Sequence, residues 1–463
     1  MQNKFILVIL LSYIKYLMKK SVLISNTINK FNKKIEVSSD KSISIRCVLM
    51  ASQAIGDSKI YNLLESEDVI SAINAIKSLG IKIIKQKKYY QIFGKGLNNF
   101  FVKNNLVINA NNSGTLSRLI LGMLVKFEKN ITITGDQSLR KRDFQRVIKP
   151  LSYFGARIIS KNKKLPLKIK GTRFIRPIEF FEKKGSAQVK SSIMFAALNA
   201  PGITKIKCIK SRDHTEKLFK YLKIPIDIKS NKKFDKIKVK GLSQYNSFNY
   251  KIPGDISSSA FFIVLTLLSK NSKIVIKNVN VNKTRTGIIQ ILNRMSAGIK
   301  IKNKKIYKGE EIGDIFVKSA KNLKSINCPK HFNSKAIDEF LLIFLVCAKS
   351  KGVSHFKGIS ELRHKESDRL KIAADLLKKI GVKIYEKKNS LTIYGKPNLK
   401  LNKNIKISNF MKDHRVFMLS CIAALTLGGK WKIDDYESIK TSFPNFLDIL
   451  KKLGAKINYE KKN

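Results

Sequence analysis

Residues 360–370 read SELRHKESDRL, which sets Glu361, Glu366 and Asp368 among Arg363, Lys365 and Arg369. Lys365 and Arg369 lie four apart, so at a helix start they would share one face, with Glu366 projecting beside them. Cations on one face can hold an anion, and a carboxylate among them can move a proton. Taken alone, such a cluster is a solvated helix start with local ion pairs. The rest of the chain makes it unusual: the formal net charge is +60, with Lys+Arg 92 against Asp+Glu 32 in 463 residues. Only 14 of those bases are arginine, and the lysines are spread evenly among abundant Ile and Asn. Even spacing reads as background surface charge and argues against a nucleic-acid-binding stripe. Arginine, by contrast, supplies a rigid bidentate fork that lysine cannot mimic, so each scarce arginine marks a place where the fork matters. Arg46, Arg142, Arg212, Arg369 and Arg415 all fall in motifs.

Five further segments share a small or polar loop running into an apolar helix: SDKSISIR (39–46), NNSGTLSRL (111–119), GSAQVKSSIMFAAL (185–198), GDISSSAFF (254–262) and DHRVFMLSCIAAL (413–425). A helix N-terminus presents free N–H groups and a positive dipole end, which suits phosphate or carboxylate. Singly, Ser and Asp there are ordinary caps. Together with Lys41 and the arginines they describe a site for more than one small anion. No GxxxxGK[ST] and no convincing GxGxxG occurs, which disfavours nucleotide hydrolysis and dinucleotide binding. No metal-ligand spacing is present, and the five cysteines are widely spaced, so buried reduced thiols and a cytoplasmic protein are expected. His214 and His414 each follow an Asp, a pattern that favours an orienting role over catalysis.

The elements that must position these residues repeat. A helix-period apolar stretch, a break and a short strand recur as AINAIKSLGIKI (72–83), VIKPLSYFGARI (147–158), KLFKYLKIPIDI (217–228), IIQILNRMSAGIKI (288–301), IAADLLKKIGVKI (372–384) and FLDILKKLGAKI (446–457). The glycine of the break is read as a left-handed C-cap before β-branched residues leave in extended form. Six such units are too many for one core and suit an α/β fold of two domains, each of three repeated helix–strand units. KIPGDISSSA (251–260) is the best hinge. The expected division is a discontinuous domain, 18–39 plus 253–463, and an inserted one, 40–252. Residues 1–17 are read as an extension or a misassigned start, because their apolar run is too short to span a bilayer.

At this point the motifs carry a family resemblance, from about residue 35 to 457. SDKSISIR, NNSGTLSRL, SLRKRDF, GSAQVKSSIMFAAL, SRDHTEKL, DEFLLIFLVCA, ELRHKESDRL, DHRVFM and TSFPNFLDILKKLGA resemble, in order, the signature segments of the 5-enolpyruvylshikimate-3-phosphate synthase family. The resemblance implies the enolpyruvyl transferase fold, an inside-out α/β barrel in each domain. It also implies transfer of the enolpyruvyl group of phosphoenolpyruvate to the 5-hydroxyl of shikimate 3-phosphate. By position, Lys41, Ser42, Arg46, Ser186, Ala187, Gln188 and Arg212 would hold shikimate 3-phosphate, with Asp338 and Lys365 on its ring hydroxyls. Lys41, Gly114, Arg142, Gln188, Arg369 and Arg415 would hold phosphoenolpyruvate. Asp338 is implied as the base, Glu366 as the acid, and Lys41 as a third catalytic group. No cofactor, metal, nucleic-acid or membrane partner is implied, and a monomer is expected.

The chain departs from the family pattern in several places. Ser38 and Ser39 replace Pro and Gly, Ile45 replaces His, and Asp143 and Leu341 replace prolines; Lys440 is one position away from a lysine that some members carry. Asp143 beside Arg142 is expected to weaken the grip on phosphoenolpyruvate. The related transferase acting on a UDP-amino sugar uses a reactive cysteine, which SLRKRDF lacks. Gly114 resembles the glycine of glyphosate-sensitive forms.

Overall fold

The structure, a computed structural model, describes residues 21–460; the expected extension at 1–17 lies outside them. One unit shows how the chain is built. Strand Leu106–Asn109 leads into helix Gly114–Leu124, then strand Ile131–Thr134, helix Gln145–Tyr153 and the hairpin strands Arg157–Ser160 and Leu167–Lys170. The first two strands pair in parallel and the others antiparallel, in the spatial order first, second, fourth, third. Among the described residues five four-stranded sheets repeat this order. The sixth sheet has three strands, and single parallel bridges at Lys324–Lys351 and Asn327–His355 stand where its edge strand would pair.

The first helix of each unit is inner. Lys41–Gln53, Gly114–Leu124, Ala187–Ala197, Ile256–Leu268, Phe340–Ala348 and His414–Leu427 are buried almost all round, as their nearly continuous apolar sequences require. The second helix of each unit, the one recognised in the sequence repeats, has only one buried face. Helices therefore lie inside and sheets outside, as expected from the enolpyruvyl transferase resemblance.

Buried apolar side chains form two clusters. One runs from Ile43 to Ile252; the other joins Val22–Val37 to Ile256–Ile457. Three strands cross the chain order to make this possible. Asn249–Lys251 becomes the edge of the first sheet, Asn32–Ile35 the edge of the fourth, and Ser21–Ile24 fits between the last two strands. The chain thus passes between the two lobes twice, and the passages touch: Asp40 N donates to Pro253 O at 2.8 Å and Asp255 N to Ser38 O at 2.9 Å.

Four of the six repeat helices end on glycine with positive φ, at Gly80, Gly155, Gly381 and Gly454. The third copy has no glycine, and Lys223 takes the left-handed conformation instead, φ 59°; in the fourth Ser296 does so, φ 69°, with Gly298 two residues further on. A second set of glycines was not foreseen. At Gly94, Gly171, Gly241 and Gly395 a Cβ would run into the last carbonyls of the inner helix, so glycine there lets the sheet close over the helix end. Lys223→Gly is expected to gain about 1 kcal/mol by relieving the left-handed backbone. Gly241→Ala is expected to lose about 3 kcal/mol by overpacking. Denaturant unfolding checks both, and equal stability of the two variants would contradict the packing described.

Candidate active site

All six inner helices start at the junction of the lobes. Their caps are Asp40, Ser113, Ser186, Asp255, Glu339 and Asp413, and all but Glu339 accept a first-turn N–H through the side chain. The helix starts bring the sequence-predicted residues together. Lys41 opens its helix and bonds Asp68 at 2.7 Å. Arg46 is buried one turn later, and each guanidinium nitrogen donates to a neutral oxygen: Thr215 Oγ1 at 2.8 Å, Ser191 Oγ at 3.0 Å and the Ser42 carbonyl at 3.0 Å. Burial, with Arg212 nearby, brings its pKa down to about 10, so it stays charged and open to an anion. Ser186 and Ala187 begin the third inner helix, and Gln188 Nε2 donates to Thr115 Oγ1 at 3.1 Å, tying it to the helix that starts at Gly114. A Cβ on Gly114 would lie 2.8 Å from both Arg118 Nη1 and Arg142 Nη1.

From the other lobe come the carboxylates. Asp338 meets Arg212 Nη2 at 2.5 Å, Lys365 Nζ at 3.3 Å and Arg369 Nη1 at 3.4 Å, while its own carbonyl accepts from Arg415 Nη1 at 2.9 Å. Glu366 meets Arg369 Nη2 at 2.5 Å and Arg142 Nη2 at 3.7 Å. Arg369 is fixed from behind by Asp413, whose Oδ2 accepts its Nε at 2.9 Å. Two of these pairs, Arg212–Asp338 and Arg142–Glu366, cross between lobes, as do Ser138 Oγ to the Glu366 carbonyl at 3.2 Å and Arg146 to Glu361 at 2.9 Å. The lobes therefore meet through each other's charges.

Two expectations need correction. Lys365 and Arg369 do not share a helix face: the helix begins at Arg369 under the Asp368 cap, and Lys365 lies in the extended residue that ends a preceding 3-10 turn. They converge on Asp338 because the chain bends, not because of helical spacing. Asp143 does not face Arg142 as an ion pair; its Oδ1 accepts the Gln145 amide at 2.8 Å, while Arg142 donates to Asn112 Oδ1 at 2.9 Å. Lys440 pairs with Glu437 at 3.1 Å. The five cysteines are free and buried. His414 is buried, and burial together with Lys41 and Arg415 holds its pKa well below the usual value, so it is neutral.

Asp68, Asp255, Arg285, Glu339 and Asp413 were missed. Each sits within one or two residues of a helix start, and Arg285 belongs to the scarce arginines, which was the available signal. Arg285 is fully buried between the two passages of the chain.

Comparison with known proteins fits this geometry. The EPSP synthase (3-phosphoshikimate 1-carboxyvinyltransferase) family model matches residues 25–462. The chain belongs to the EPSP synthase family. The 3-phosphoshikimate 1-carboxyvinyltransferase of Petrotoga mobilis is 40% identical over 428 residues, covering 91% of this chain and 97% of that protein. The solved EPSP synthase of Acinetobacter baumannii superposes with a TM-score of 0.82 at 32% identity, over 95% of this chain and all of that one. The enolpyruvyl transferase NikO of Streptomyces tendae, at 12% identity and TM-score 0.73, covers 96% of this chain and 100% of its own, and shares the fold.

Burial would raise the carboxyls of Asp338 and Glu366, but the cations around them outweigh it, Lys365 and Arg212 leading for Asp338 and Arg369 and Arg142 for Glu366. Both lie well below their ordinary values of 3.8 and 4.5. The stability they contribute is complete above those ordinary values and disappears as pH falls through the depressed ones. Asp338→Asn should therefore lose about 3 kcal/mol at neutral pH, and a smaller share of the variant's stability should vanish on acidification. Unfolding curves from pH 7 to about pH 3 measure this; a variant matching the wild type throughout would refute the pairing.

Proposed function

We propose that this protein transfers the enolpyruvyl group of phosphoenolpyruvate to the 5-hydroxyl of shikimate 3-phosphate. The observation that carries this reading is the meeting of Asp338 and Glu366 with Arg142, Arg212, Lys365, Arg369 and Arg415 where the lobes join. Phosphoenolpyruvate brings a carboxylate and a phosphate, and the acceptor brings a second phosphate. Such a load needs several cations, bidentate where possible. Lys41, Ser42, Arg46, Ser186, Ala187, Gln188 and Arg212 hold shikimate 3-phosphate, with Asp338 and Lys365 at its ring. Lys41, Gln188, Arg142, Arg369 and Arg415 hold phosphoenolpyruvate against Gly114. Domains 40–252 and 18–39 plus 253–463 move about the two passages to admit them.

Asp338 takes the proton of the 5-hydroxyl as that oxygen bonds to the enol carbon. Glu366 delivers a proton to the methylene carbon, and the tetrahedral adduct then expels phosphate while a proton is withdrawn to restore the double bond. The balance requires no redox step and no cofactor. The ionised state of Asp338 suits a base. Glu366 is ionised in the free site and becomes an acid only when arriving anions offset Arg369 and Arg142. Substrate binding is thus an exchange of partners: phosphate and carboxylate take the arginines, and the site's own carboxylates are released for proton transfer. The described helices include none long and apolar enough to cross a membrane, and a cytoplasmic monomer completes the reading.

Phosphate release should require both substrates together, and Asp338→Ala should lower kcat on the order of 10³-fold. Release with a UDP-amino sugar in place of shikimate 3-phosphate would reassign the activity. Gly114→Ala should displace Arg142 and raise KM for phosphoenolpyruvate about tenfold with a smaller effect on kcat. Glyphosate should inhibit the wild type and inhibit Gly114→Ala less; a flat inhibition curve for the wild type would refute that expectation.

A further inference from the structure

Arg285 holds a place in its repeat that matches a substrate-site arginine in another. Arg212 stands two residues before the helix His214–Tyr221, and Arg285 two residues before the helix Gly287–Arg294. Arg212 reaches toward the cleft and Asp338, whereas Arg285 is buried to 2% exposure under the two chain passages. Its Nη1 donates to Asp40 Oδ2 at 3.2 Å and its Nη2 to Asp255 Oδ1 at 3.1 Å. These are the caps of two inner helices, one in each lobe, and each begins just after a passage. Asp40 Oδ1 caps Ile43 N at 2.9 Å, fixing the turn that carries Lys41, Ser42 and Arg46, and Asp255 Oδ2 accepts Lys41 N at 3.4 Å.

A second path leads to the opposite side of the site. Arg285 Nη2 also donates to Ser257 Oγ at 2.9 Å, and Ser257 Oγ donates to Glu339 Oε1 at 2.5 Å. Glu339 faces Arg415 Nη1 at 3.7 Å and is the neighbour of Asp338. Arg285 Nη1 further meets His214 Nε2 at 3.2 Å. A guanidinium can only donate, so Nε2 accepts, and Nδ1–H of His214 donates to Glu310 Oε1 at 2.6 Å. Buried carboxylates from both lobes therefore converge on one guanidinium. Without it Asp40 and Asp255 would face each other in a dry interior with no cation between them.

We infer that Arg285 is a positioning residue of the transferase: by bridging Asp40, Asp255 and Ser257 it sets Lys41 in one lobe against the Asp338–Arg415 side of the other. The inference rests on the proposed enolpyruvyl transfer, and Arg285 itself touches no substrate. Its role is charge balance in a fixed geometry, which makes a specific prediction that a packing role does not. Removing one carboxylate charge should repair the loss of the guanidinium.

The test compares Arg285→Met, Arg285→Lys and the double variant Arg285→Met/Asp40→Asn, in which Asn can still cap Ile43. Turnover of phosphoenolpyruvate with shikimate 3-phosphate is followed by phosphate release, and fold by circular dichroism and melting. Arg285→Met should lose about 100-fold in kcat, the scale of a small misplacement of reacting groups, with both KM values within about threefold of wild type. The double variant should recover about tenfold of that loss, and Arg285→Lys, which keeps charge without the fork, should fall between wild type and Arg285→Met. A kcat for Arg285→Met within about threefold of wild type, or a folded double variant no faster than the single one, would overturn the inference. Should Arg285→Met not fold, Arg285→Lys decides: unchanged turnover overturns the role and reduced kcat at unchanged KM supports it. Absence of wild-type turnover would instead sink the proposed function, leaving the two failures distinguishable.

Discussion

Asp338 is the constraint on which the site depends. One carboxylate is faced by Arg212 from one lobe and by Lys365 and Arg369 from its own, with Arg415 anchored on its backbone carbonyl. So many cations in a small space repel one another, and burial weakens the screening that water would give. The carboxylates of the site supply the balance. In the proposed transfer the same carboxylates move the protons, so charge balance and chemistry draw on one set of groups. Lobe closure and chemical readiness are consequently one electrostatic problem.

The fold solves that problem by directing six inner helix N-termini at one place. Each start supplies positive dipole and uncovered N–H groups, and most of the site's side chains lie on the first turn or just before it. Apolar sequences keep these helices in the interior, and the glycines at 94, 171, 241 and 395 let the outer sheets close over their other ends. Arg369 and Arg285 illustrate a shared device: each precedes or opens an outer helix and grips the Asp cap of an inner one, Asp413 and Asp255 respectively. In this way the outer layer fixes the ends of the inner layer where position matters most.

Much of this was legible in the sequence, for definite reasons. The repeat helices announced themselves through 3.6-residue periodicity and a glycine stop, and even the copy without glycine kept its periodicity around Lys223. The five polar-to-apolar helix starts marked the inner helices because a fully buried helix still needs a polar cap. Tertiary contacts were not legible. Nothing local tells that Lys365 bends back to Asp338, that Asp143 turns to the Gln145 amide, or that Arg285 joins two passages of the chain, pairing with Asp40 across 245 residues. The first two were decided by loop geometry over three or four residues. The third depends on Ser21–Ile24 and Asn32–Ile35 pairing with strands far along the chain, an association that periodicity cannot reveal.

The charge imbalance of the whole chain takes a different meaning once the acids are located. Asp40, Asp68, Glu216, Asp255, Glu310, Glu339 and Asp413 are all buried, although acids are few. The described lysines are mostly exposed, and several lie over aromatic rings, as Lys207 does over Phe181 and Phe234 at 4.8 and 4.9 Å. A drift toward lysine on the surface costs little, because water and salt screen it. Losing an acid from the interior would strand a cation where screening is weak. The surviving acids, like the surviving arginines, therefore mark the positions where a specific partner is required. Reading both scarce classes together would have pointed to Asp255, Arg285 and Asp413 as readily as to Asp338 and Arg369.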